Sequence, residues 1–93
     1  MKRILCYGDS NVWGFVPGSF NSETKLAKRH KKNQLWTTIL QNKLGDDYEV
    51  FSDGINGRTT DLDEMNPGRS FRNGFALLGC SLEIHYPINL IIL

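Results

Sequence analysis

The sequence predicts an α/β domain with a parallel sheet. Short apolar runs at 3–7, 48–52 and 88–93 read as strands, and stretches with helical apolar spacing stand between them. The first two runs end in Gly8-Asp9 and Asp53-Gly54, the turn chemistry expected where a buried strand leaves a sheet. Strands alternating with helices build a parallel sheet through right-handed βαβ crossovers. At 93 residues the chain has room for one modest core, since a chain of this size buries only a little over ~60% of its unfolded surface.

Residues 3–7 (RILCY) form the first predicted strand. Residues 11–34 are mostly polar and carry Gly14, Pro17, Gly18 and a basic cluster, so they read as an excursion over the surface. The spacing of apolar residues at 35, 36, 39, 40 and 44 predicts a helix over 35–44, with Asn33 placed to cap its start and Gly45 to close its end. Residues 48–52 (YEVFS) are the second strand, and 56–70 are a loop rich in Asn, Gly, Thr and Asp. Phe71, Phe75, Leu78 and Leu82 predict a helix from 71 to about 84, weakened by Gly74 and Gly79. The continuous run 88–93 (INLIIL) suits a strand covered on both faces.

The chain stops at Leu93 on its most apolar run. A bare central strand would be sticky, so the expectation is the front portion of a larger α/β domain, truncated after about the third strand. The other reading is an edge strand completed by a partner chain.

Composition excludes several classes. Apolar residues make up 40% and charged residues 23%, a globular balance, and the formal net charge is +1. A near-neutral chain has no global field for nucleic acid or anionic lipid. The cluster Lys25, Lys28, Arg29, Lys31, Lys32 lacks interleaved aromatics and reads as a solvated loop. No 18-residue apolar run spans a membrane, and the run after Met1-Lys2-Arg3 is too short for an export segment. Cys6 and Cys80 are isolated, in apolar surroundings, and read as buried free thiols in a reducing cytoplasm. No phosphate-loop Lys-Ser/Thr follows Gly8 to Gly14, and no metal-ligand spacing appears, so no cofactor is expected.

In open α/β sheets chemistry gathers beyond the carboxyl ends of the strands. Two such places are present, Gly8-Asp9-Ser10-Asn11 and Gly54-Ile55-Asn56-Gly57-Arg58-Thr59-Thr60. Ser10 is the most informative residue. A serine in that turn presents its hydroxyl to the crevice, while its own N–H can face a developing oxyanion. Gly8 permits the sharp exit, and Asp9 can bond backbone N–H groups and stiffen the turn. Phe15, with Trp13 and Trp36, is a candidate pocket wall. Arg58 is expected to pair with Asp61 or Asp63.

Residues 4–14, ILCYGDSNVWG, resemble the opening block of the SGNH (GDSL-like) hydrolases, the arylesterase-like branch in particular. Three further stretches resemble that branch in the same order. These are Leu35-Trp36 to Leu44-Gly45, then DGINGRTT at 53–60, then LEIHYPINLIIL at 82–93. Asn11 stands where the family's nickname has leucine. The resemblance implies a flavodoxin-like three-layer α/β/α fold and an ester hydrolase or acyl transferase acting on small-molecule esters. It implies Ser10 as nucleophile, the N–H groups of Ser10 and Gly57 as oxyanion donors, and Asp9, Asn11 and Phe15 around the substrate. That branch often forms oligomers, which leaves a homo-oligomer open. The family's third donor, an asparagine after strand 3, and its Asp-x-x-His base are not within these 93 residues. His30 and His85 are preceded at three residues by Ala27 and Leu82. His85 falls at the amino end of the third strand, away from the crevice, and His30 among lysines. The chain alone is therefore expected to be inactive. Two other classes remain open: a non-catalytic module that pairs its open sheet edge with another chain, and a small phosphate or nucleotide binder using the Gly-rich turns.

Overall fold

A computed structural model of the chain describes residues 1–60 and 72–93. The element at its centre is β1 (Lys2–Gly8), in which Ile4, Leu5, Cys6 and Tyr7 are buried in succession. Four consecutive buried residues mean both faces are covered, because successive side chains point to opposite sides of a strand. Along its edges β1 is flanked by β2 (Tyr48–Gly54) and β3 (Leu90–Ile92), both parallel to it, in the order β2-β1-β3.

The alternation along β1 sorts the layers. Ile4 and Cys6 face Val12 and the half-buried Leu40, Leu44, Val50 and Ile92, which puts α2 (Trp36–Leu44) on that side. On the opposite side the Tyr7 hydroxyl donates to the Gly74 carbonyl at 2.8 Å, and the His85 ring lies 4.8 Å from that of Phe51. These contacts seat α3 (Gly74–Ile84) on the second face. The result is the α/β/α arrangement of the expected flavodoxin-like fold, present here through its third strand.

Several boundaries differ from the sequence expectation. Asn33 does not cap α2. It lies inside a single 3-10 turn, Lys32–Gln34, and the cap position falls to the extended Leu35, which makes no side-chain cap bond. Gly45 closes α2 as expected, its N–H bonded to the Gln41 carbonyl. Strand β2 continues through Asp53 and Gly54, because its register with β1 runs unbroken to the pair Gly8 and Gly54. Strand β3 is shorter than the apolar run, and just before it Asn89 grips Arg3 through both backbone and side chain. Among the described residues β3 pairs only with β1, and Leu90 is 53% exposed, so the strand is not covered on both faces.

Helix α3 starts later than the apolar spacing suggested, and Phe71 lies outside the described residues. Asn73 caps it, accepting from the Ala76 N–H at 3.0 Å. Its packed stripe is also rotated. Gly74 and Ser81 are buried while Phe75 is 71% exposed. The sheet side needs small residues: a Cβ at Gly74 would lie 2.5 Å from the Thr59 carbonyl oxygen, and Ser81 sits close enough to donate to the Asp53 carboxylate. The same rotation leaves Cys80 exposed, correcting the reading of both cysteines as buried; Cys6 is fully enclosed.

The free side of β2 carries its own protection. The Gln41 side chain donates to the Tyr48 carbonyl at 2.8 Å and accepts from the Val50 N–H at 2.7 Å. One side chain of α2 thus fills the place of a further strand. Among the described residues, no helix is long and apolar enough to cross a membrane.

Candidate active site

The carboxyl ends of β1 and β2 meet at the register pair Gly8 and Gly54, and both strands turn away there. The chain leaving β1 winds at once into a single turn of helix, α1 (Ser10–Trp13). Asp9 caps it. Its carboxylate accepts from the Asn11 N–H at 3.1 Å, and its carbonyl accepts from the Val12 and Trp13 N–H groups. The Ser10 carbonyl accepts from Gly14 and Phe15 at 2.9 and 3.0 Å, which closes the turn. Ser10 is therefore held from both directions, half-buried, at the first position of α1.

The approach of α1 to β2 depends on Gly54. A Cβ there would lie 2.5 Å from the Trp13 nitrogen, 2.7 Å from the Val12 Cβ and 2.9 Å from the Asp9 carbonyl oxygen. Real structures do not sustain such contacts, so the second strand must end in glycine for the Ser10 turn to sit on it. Beyond it, the Ile55 N–H donates to the Gly8 carbonyl at 3.3 Å. Gly57 has a φ of 78°, the left-handed region, with the Arg72 guanidinium against it: a Cβ there would lie 3.2–3.3 Å from Arg72 atoms. The backbone of Arg72 is itself fixed, because its carbonyl accepts from the Thr59 N–H at 2.7 Å.

Arg58 ties the two turns together. Its side chain is only 9% exposed. Nη1 donates to the Gly8 carbonyl at 3.3 Å and to the Asp53 carbonyl at 2.8 Å, both nitrogens lie 3.3 Å from the Asp53 carboxylate, and the guanidinium rests 3.8 Å over the Tyr7 ring. The partner is thus Asp53, one strand position before Gly54, rather than Asp61 or Asp63, which lie outside the described residues. Burial raises the Tyr7 phenol above its ordinary range, and Arg58 partly offsets that.

A cavity of about 430 Å³ opens beside Ser10, lined by Ser10, Trp13, Phe15, Asn56 and Arg72 and by the hairpin residues Phe20, Lys25, Leu26 and Ala27. The hairpin reaches it because bridges pair Phe15 with Arg29 and Asn21 with Leu26, folding the polar excursion back over α1. Neither the Ser10 nor the Gly57 N–H donates to any described residue. Two unengaged donors thus stand beyond the ends of adjacent strands.

Of the residues picked out in the sequence, Ser10 and Phe15 share this cavity, and Gly57 adjoins it through Arg72. Asp9 and Asn11 do not. They line a neighbouring cavity of about 480 Å³ with Trp36, Arg58 and Phe75. The Asp9 carboxylate is engaged as a cap, and the Asn11 carbonyl accepts from the Trp36 indole at 3.1 Å. His30 and His85 line a third space of about 620 Å³ along the β2 edge, and neither lines the cavity of Ser10. The His85 Nε2 is 3.7 Å from the Asp53 carboxylate. The basic cluster is less detached than a solvated loop: Arg29 donates to the Trp13 carbonyl and lies over its ring, and Lys25 reaches the Ser10 cavity. Sequence reasoning missed Arg72 and Lys25. Both are brought to the site by the backbone pairing of loop segments, which no hydrophobic periodicity announces.

With its serine turn at the end of the central strand and a glycine turn on the neighbouring one, the chain matches the N-terminal part of SGNH-type aryl esterases and carbohydrate acetylesterases. Among solved structures it is similar to the native aryl esterase of M. smegmatis, with 37% identity and a TM-score of 0.83 over 98% of this chain and 40% of that one. It is similar also to a carbohydrate acetylesterase family member from Sinorhizobium meliloti, with 38% identity and a TM-score of 0.78 over 98% of this chain and 39% of that one. The chain thus spans about two-fifths of the length of the structures it matches. No family model matches it, and no curated protein matches it.

Proposed function

We propose that this chain supplies the nucleophile half of a serine esterase or acyl transferase acting on small esters. The observation that carries the reading is that Ser10 lines a largely apolar cavity, while its own N–H and that of Gly57, in the turn after the neighbouring strand, donate to no described residue. In this reading Ser10 Oγ attacks the ester carbonyl carbon, and the carbonyl oxygen takes up the negative charge. The N–H groups of Ser10 and Gly57 donate to that oxygen, where preorganised donors stabilise the transition state most. The alcohol leaves with a proton, and the acyl group on Ser10 passes to water or to a second alcohol. Phe15 and Trp13 form the apolar wall. Asp9 acts on the turn rather than on the substrate, since its carboxylate is bound to Asn11.

The serine proton needs a base as the new bond forms. These 93 residues contain no Asp-x-x-His, and His30 and His85 line a different space. In a serine protease, loss of the base costs on the order of a million-fold in turnover, so the chain alone is expected to hydrolyse esters at background rate. The test is p-nitrophenyl acetate turnover by a protein in which the remainder of the fold is present. Ser10→Ala should abolish it with the fold intact; near-normal turnover would refute the nucleophile assignment.

A further inference from the structure

We infer that the Ser10 cavity selects ligands carrying a negative charge beside an apolar group, with Lys25 as the residue that reads the charge. The inference rests on the proposed esterase site for its relevance to a substrate, but not for its test.

Two observations converge. The first is the lining. Besides Ser10 and the neutral Asn56, the polar side chains around the cavity are the cations Lys25 and Arg72, and no carboxylate of a described residue lines it. The rest of the wall is aromatic or aliphatic. A carboxylate on an aryl or alkyl body matches both parts of such a wall.

The second is the backbone of Lys25. Its φ is 61°, and it is the one non-glycine residue with positive φ among the described residues. That region is uncommon for a residue with a β-carbon, and Asn or Gly takes it more readily. The turn enforces it. Asn21 accepts from the Lys25 N–H at 2.8 Å through its carbonyl, and from Glu23 and Thr24 through its side chain. Strain of this kind, held in place by surrounding bonds at a residue that lines a cavity, points to function. What a lysine adds there over asparagine is a long cationic side chain, on a residue that lines the cavity of Ser10.

The probes are phenylacetate and its neutral isostere phenylacetamide, titrated into the protein and followed by amide NMR shifts. Neither is an ester, so the outcome is independent of turnover. Phenylacetate should bind on the order of tenfold more tightly than the amide, the factor one charge-assisted hydrogen bond supplies. Shifts should centre on Ser10, Ala27 and Gly57, and the advantage should shrink in 0.5 M salt through screening. Lys25→Asn, which keeps the left-handed turn, should erase most of the advantage, and Lys25→Arg should restore it. Equal affinities, absence of binding, shifts elsewhere, or a preference untouched by Lys25→Asn would each overturn the inference. If phenylacetate binds as described while a protein in which the remainder of the fold is present shows no ester turnover dependent on Ser10, the esterase reading falls and the anion site stands.

Discussion

Replacing Arg58 by Met tests whether one buried cation holds the two functional turns in register. The change keeps the unbranched apolar stem while removing every donor. Lost are the bonds to the Gly8 and Asp53 carbonyls, the pair with the Asp53 carboxylate and the contact over Tyr7. Breaking one side of a buried pair costs about 3–5 kcal/mol when the other charge is stranded. Asp53 is not fully stranded, because its side chain is 24% exposed and keeps the Ser81 hydroxyl and nearby His85. A loss of about 2–3 kcal/mol follows. With an m-value of about 1 kcal/mol/M, suitable for a small chain, the urea midpoint should fall by about 2–3 M. Arg58→Lys should recover little, since an ammonium lacks the planar fork that reaches both strands. Urea unfolding at pH 7 followed by circular dichroism measures this, and the amide shifts of Ser10 and Gly57 report the turns. A midpoint moving by less than about 0.3 M, or a lysine variant equal to wild type, would refute the reasoning.

Three further outcomes are expected. Gln41→Leu leaves the Tyr48 carbonyl and Val50 N–H on the open side of β2 without their partner, and should cost about 1–2 kcal/mol in the same titration; no shift would show that solvent replaces both bonds. With a thiol reagent under native conditions, exposed Cys80 should react at once and enclosed Cys6 only on unfolding; two fast thiols would contradict the placement of β1. Burial raises both the Cys6 thiol and the Tyr7 phenol above their ordinary values. The folded state therefore keeps protons that the unfolded chain releases, and stability should be full below the ordinary thiol range and fall as pH rises through about 8.5 to 10. Tyr7→Phe should flatten the upper part of that fall, and an unfolding midpoint independent of pH between 8 and 10 would contradict it.

What the sequence revealed and what it hid follow from the range of the interactions. The β1 run, the α2 spacing and the turn at Asp9-Ser10 were legible, because each is specified by neighbours in the chain. The cap of α2 was not. Asn33 has the right chemistry, but a 3-10 turn absorbs it and extended Leu35 intervenes. The inner face of α3 was misread because that helix is apolar on several sides, and the sheet's demand for small residues at Gly74 and Ser81 overrides the pull of Phe75 toward the core. Asp9 and Asn11 look like substrate ligands beside Ser10 in sequence, yet α1 turns them to the other cavity. Arg58, Arg72 and Lys25 acquire their places from β1, from the Thr59 pairing and from the hairpin, all of them tertiary features.

The measurement that bears most directly on the central claim is a graft. This chain replaces the corresponding N-terminal two-fifths of the M. smegmatis aryl esterase, to which it is 37% identical over 98% of its own length. The folded chimera should hydrolyse p-nitrophenyl acetate, and Ser10→Ala within it should lower turnover by at least about 10⁴-fold while leaving the melting transition unchanged. A folded chimera without turnover, or one whose turnover survives Ser10→Ala, would contradict the assignment of Ser10 as the nucleophile.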